Sequence, residues 1–138
     1  YFVYFGMLKI FTTVLVMATS MTAIGQIVDY KLKKKQFGWY EGVIPHYTID
    51  EGNIMIPVNE SLCQVNLKSD QMSVTLGNQM REGEYKILFS TKEYSVLEFT
   101  PQDQMMRERY ILKRKGKSLT REGAHPQPSV DLKKIKKK

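Results

Sequence analysis

The chain has 138 residues, 42% of them hydrophobic and 25% charged, a length that fits one domain and a composition that excludes bulk disorder. Its net charge of +7 and its single cysteine, Cys63, exclude an internal disulfide framework and favour anionic partners.

The N-terminal stretch reads as a secretory signal peptide over residues 1–25, with its start at Met7. Lys9 supplies a short positive region, Ile10–Met21 an apolar run forming a hydrophobic signal helix, and Ala23 and Gly25 the small residues before a cleavage point. This reading implies a periplasmic or secreted protein. The alternative is a membrane anchor retained over residues 2–24, because about 20 apolar residues span a bilayer.

Residues 26–119 read as an antiparallel β domain. Gln26–Gln36 opens apolar and ends in the lysines Lys33–Lys35, the pattern of an edge strand or of a loose arm. Phe37-Gly38-Trp39-Tyr40 is the densest aromatic cluster and holds the only tryptophan. Gly42, Pro45, Asp50, Gly52 and Asn53 then punctuate short strand pieces and turns. Ile54-Met55-Ile56 reads as a strand closed by Pro57. Leu62–Leu67 and Gln71–Leu76 alternate in side-chain character around a short loop, Lys68-Ser69-Asp70, as a hairpin does. Cys63 falls on the apolar face of the first of these, where a free cysteine behaves as a small buried hydrophobe.

The stretch Glu84–Lys115 carries three further runs, Tyr85–Phe89, Tyr94–Phe99 and Arg109–Leu112, joined by turn-forming residues such as Pro101 and Asp103. Successive strand side chains point to opposite faces. Tyr85, Ile87 and Phe89 therefore share one face, as do Tyr110 and Leu112. About seven strands at regular short spacing, with no amphipathic helix among them, predict an all-β fold: an antiparallel meander forming a small barrel or sandwich.

Residues 120–138 carry Pro126, Pro128 and five lysines around Ile135. This composition reads as a flexible basic tail. Positive charge is concentrated in Lys31–Lys35, Arg107–Lys117 and the C-terminal lysines. Lys133, Lys134, Lys136, Lys137 and Lys138 are the candidates for contact with an anionic membrane surface. Export argues against nucleic acid as the partner.

Trp39, Tyr40, Tyr85, Phe99 and Tyr110 are candidates to line a site for an apolar small molecule, the alternative being core packing. Only His46 and His125 are present, far apart in sequence, and neither lies in a metal-ligand or catalytic-triad pattern. No metal, cofactor or catalytic residue is expected, and nothing in the sequence argues for an enzyme. Binding an apolar molecule or an envelope protein is the function class that remains.

Gly38-Trp39 near the start of the meander, with Arg114 on its last strand, resembles the small lipocalin-like β domains of unknown function exported by Bacteroidota. The likeness covers about residues 37–116. It implies a tryptophan at the base of a barrel with a late arginine packed over it. It also implies an apolar cavity or partner-binding surface rather than catalysis.

Overall fold

The computed structural model describes residues 30–103, 106–115 and 117–137. The expected signal segment and Lys138 lie outside the described residues.

Alternation builds the strands. In Ser61–Leu67 the side chains of Cys63, Val65 and Leu67 are buried, while those between them are not. In Glu108–Lys113 Tyr110 and Leu112 are buried, with Arg109 and Lys113 exposed. These two strands turn one apolar face inward and one polar face outward, which is the pattern of an antiparallel sheet with one wet side.

The strands are β1 (Gly38–Ile44), β2 (Tyr47–Asp50), β3 (Met55–Val58), β4 (Ser61–Leu67), β5 (Gln71–Leu76), β6 (Gln79–Ser90), β7 (Tyr94–Pro101), β8 (Glu108–Lys113), β9 (Ser118–Arg121) and β10 (Val130–Ile135). Eight of them close into an antiparallel barrel in the order β1-β10-β9-β8-β7-β6-β5-β4. β2 and β3 form a separate two-stranded sheet inserted between β1 and β4. Closure removes the unpaired edges that an open sheet would expose, and decides for a barrel over a sandwich.

The interior is filled by Tyr40, Leu97, Phe99, Tyr110, Leu112, Leu119 and Leu132, all fully buried. Gly83 lets β6 and β7 meet, because a Cβ there would lie 2.1 Å from the Thr100 carbonyl oxygen. Gly77, at φ 59°, opens the two-residue turn between β5 and β6 in the left-handed region that glycine adopts without strain.

Two sequence expectations are corrected, and the open choice between arm and edge strand over 26–36 is decided. First, residues 120–138 do not form a tail outside the fold. β10 pairs with β9 through Val130↔Arg121 and Leu132↔Leu119, and with β1 through Trp39↔Ile135 and Tyr40↔Lys134. Val130 and Leu132 face inward and are buried, while Asp131 and Lys133 face out. This is a strand alternation that the lysine density and the prolines of the preceding loop obscure. The described part of 26–36 is an arm ending in a 3-10 turn, Lys34–Gln36, and not an edge strand. Second, Phe89 does not share a face with Tyr85 and Ile87. The register between β6 and β7 shifts between Ile87 and Phe89. One extra residue reverses the facing of all that follows, and Phe89 meets Tyr94 edge-to-face instead, with ring centroids 6.2 Å apart.

Candidate functional site

The five aromatic candidates separate. Tyr40, Phe99 and Tyr110 are fully buried core residues. Phe99 and Tyr110 pack edge-to-face at 6.3 Å between centroids, and the Tyr40 hydroxyl donates to the Gln36 carbonyl at 2.7 Å. These three are packing residues and not the walls of a cavity. Trp39 is half-buried and lies on the outward parity of β1. The Lys137 ammonium sits over its ring, where the lipocalin-like pattern expects an arginine. Arg114 is instead exposed in the β8–β9 turn, and its carbonyl accepts from the Gln36 side chain at 3.5 Å. Of the five, Tyr85 lines a recess of the described surface. Its hydroxyl donates to the Lys68 carbonyl at 2.5 Å, and burial, with Asp70 nearby, pushes its pKa up to about 12.

The two ends of the barrel differ in chemistry. One end receives the β5–β6, β7–β8 and β9–β10 connections and the β2–β3 hairpin. Its opening holds an ion cluster. Arg121, 5% exposed, donates from Nη2 to Glu108 Oε1 at 3.0 Å and from Nη1 to Gln127 Oε1 at 2.6 Å. Arg81 Nη1 donates to the same Glu108 oxygen at 3.2 Å, and the Tyr110 hydroxyl to Glu108 Oε2 at 2.7 Å. A recess of about 530 Å³ opens over this cluster.

Burial alone would raise the Glu108 carboxyl. The hydrogen bonds and charge of Arg121, the Tyr110 hydroxyl and the charge of Arg81 together outweigh it and hold Glu108 below its ordinary value. A carboxylate held ionised in this way is a weak proton acceptor near neutral pH, because general acid–base work needs a group that titrates near the working pH. Cys63, buried beneath, has its thiol pushed up to about 11 by burial, with Arg121 opposing and Glu108 adding to the shift. It stays a thiol and not a thiolate nucleophile at neutral pH. The cluster therefore works as a polar plug in which one carboxylate is shared by two arginines.

The other end carries an excess of cations. It gathers the arm with Lys31, Lys33, Lys34 and Lys35, the β4–β5 loop with Lys68, the β6–β7 loop with Lys92, and the β8–β9 turn with Arg114, Lys115 and Lys117. Lys136 and Lys137 follow the end of β10 there. Among the described residues of these loops the opposing acids are Asp70 and Glu93. Gln36 pins the arm in place: buried, it accepts from the Lys33 amide at 2.8 Å, and its amide donates to Arg114. Lys134, on the inward parity of β10, sends its ammonium to the Lys35 carbonyl. A recess of about 470 Å³ lies between the β6–β7 and β8–β9 connections, lined by Lys92, Lys113, Arg114, Lys115 and Lys117 along with Glu93 and Ser118.

Of the anionic-surface candidates, Lys136 and Lys137 are exposed at this end, while Lys133 lies on the outer face of β10 opposite Glu41. Lys134 is exposed but tied to the arm. Sequence reading saw three separate basic runs and missed that the topology joins most of them. It also missed Lys68 and Lys92, isolated cations with no local signal. Arg107 and Arg109, read with the basic run of β8, lie toward the opposite end and not with Lys113–Lys117.

Among the described residues no group of three or more His, Cys, Asp or Glu could hold a metal ion, and no helix is long and apolar enough to cross a membrane. His46 and His125 are exposed, in the β1–β2 and β9–β10 connections. No family model, curated protein or solved structure matches the chain.

Proposed function

We propose that the chain is a binding module of the cell envelope that docks on anionic surfaces through the basic end of its barrel. The observation that carries this reading is the convergence of the arm, two loops, the β8–β9 turn and the end of β10 into one cationic face opposed by two acids. Isolated surface lysines are ordinary. Cations brought from five separate segments to one end of a closed barrel form a field that attracts an anionic surface, with about 1 kcal/mol per lysine or arginine near anionic lipid. The end is supported by a rigid barrel and by the Gln36 bonds, so little ordering is needed on contact.

In this reading the chain is exported and works outside the cytoplasm. The alternative keeps residues 2–24 as a membrane anchor, and one observation favours it. Tyr30 lies at the basic end, and the chain from Gly25 to Tyr30 reaches at most about 18 Å. An anchor would hold this end close to the head groups. Both versions place the same face against the membrane.

The test is sedimentation of the protein with phosphatidylcholine vesicles, with and without phosphatidylglycerol, across a salt series. Binding to the anionic vesicles that fades as salt shortens the Debye length is expected. Equal binding to both kinds of vesicle, or binding that salt does not weaken, would contradict it.

A further inference from the structure

The barrel wall has a seam on one side of β6. β5 pairs with β6 from Leu76↔Gln79 to Gln71↔Glu84, where β5 begins. β6 continues through Ser90, paired on its other side with β7 as far as Ser90↔Ser95. Among the described residues, no strand flanks 85–90 on the β5 side. The arm lies there instead, with Leu32 and Phe37 packed against the same core as Tyr85 and Ile87. Between arm and strand remains a recess of about 570 Å³, within the size range of small-molecule sites.

Its composition selects a ligand. The floor is Leu32, Phe37, Ile87 and the ring of Tyr85, whose hydroxyl is already committed to Lys68. The rim carries Lys31 and Lys86. Lys86 pairs with Glu98 at 3.4 Å, but its side chain is 63% exposed, and an exposed pair of this kind holds its partner weakly. An apolar floor beneath a cationic rim fits a molecule with an apolar body and an anionic head.

We propose that this seam is a binding site for a single-chain anionic amphiphile of the long-chain carboxylate class. The site lies between arm and β6 and not inside the barrel, whose centre is occupied by Tyr40, Phe99 and Tyr110. It shares Lys31 with the basic end but does not rest on the docking of that end to a membrane.

Calorimetric titration with dodecanoate, kept below the concentration at which it forms micelles, tests the proposal. Saturable binding near one molecule per chain is expected, together with chemical-shift changes at Tyr85 and Ile87. Dodecanol should bind at least several-fold more weakly, and Lys86→Glu should weaken dodecanoate roughly ten-fold by reversing a rim charge. Ile87→Trp should fill the recess and abolish binding. If that variant fails to unfold like the parent on heating, Lys86→Glu carries the test. The double variant Lys115→Glu, Lys117→Glu, which alters the basic end alone, should bind dodecanoate as the parent does. Absence of saturable binding, equal affinity for dodecanol, or loss of binding in the double variant would overturn the proposal.

Discussion

Lys137 sets its ammonium 3.7 Å from the centroid of the Trp39 ring, on the outside of the barrel and two residues beyond the pair Trp39↔Ile135. The contact ties the last residues of the chain to its first strand. A cation over a partly exposed indole contributes about 0.5–1 kcal/mol. A chain stopped after Ile135 keeps β10 and loses this contact. It should unfold cooperatively, with a stability decrease of about that size and with greater quenching of Trp39 fluorescence by acrylamide. Unchanged quenching would show that the ring is not covered.

Stopping the chain after Leu119 should have a different outcome. It removes β10 and with it the inward side chains of Val130 and Leu132, each worth about 1.5–3 kcal/mol of burial. It also cuts β9 after Leu119, removes the Arg121 partner of Glu108, and leaves β1 and β8 as open edges. Loss of the cooperative urea transition is expected. A truncated chain that still unfolds cooperatively would show that β10 is not needed to close the fold.

Glu108 balances two arginines, with its side chain 13% exposed and that of Arg121 6%. Glu108→Gln removes the carboxylate from the buried Arg121 and should cost about 3–5 kcal/mol. Glu98→Gln should cost no more than about 1 kcal/mol, because its partners Lys86 and Arg107 are more than half exposed. Replacing the pair together, Glu108→Gln with Arg121→Met, should recover much of the loss. Urea unfolding of the variants measures all of these. The pH dependence has a definite sign. Glu108 is held below its ordinary 4.5, so its contribution is complete above that pH and is lost as pH falls through the lower folded value. The acid limb of the stability curve should flatten in Glu108→Gln.

Cys63 is fully buried, and burial lifts its thiol from the ordinary 9.0 to about 11. The folded protein should resist iodoacetamide at pH 8 and react at once in denaturant. The neutral thiol stabilises the fold fully below pH 9, and this contribution is lost as pH rises from 9 to 11. Rapid alkylation of the native protein would contradict the buried position.

Local alternation was legible where one face is apolar and the other polar. β4, β5, β7 and β8 could be read from Cys63-Val65-Leu67, Met72-Val74, Leu97-Phe99 and Tyr110-Leu112. β10 was not, because its outward lysines resemble a solvated tail, and the partners that bury Val130 and Leu132 lie on β9 and β1. The face of Phe89 was misread because a bulge leaves no mark in a two-residue period. The basic runs were visible as composition, but their convergence depends on strand direction, a property of the closed barrel. Trp39 was expected inside, and its position follows from Tyr40, the inward neighbour that claims the core. The Glu108–Arg121 pair spans a strand and the residues assigned to the tail, so no local pattern could join them.

The most direct test of the account compares charge reversals at the two ends in the full chain. One variant carries Lys115→Glu and Lys117→Glu on the β8–β9 turn of the basic end; the other carries Arg107→Glu and Arg109→Glu toward the opposite end, so both change the net charge equally. All four residues are exposed, and each variant is first checked for parental thermal unfolding. Binding to vesicles containing phosphatidylglycerol at low salt is then measured. The account predicts that the first variant loses binding at least ten-fold while the second stays within a few-fold of the parent. Equal loss in both would mean that net charge, and not the basic end, drives association, and would contradict the account.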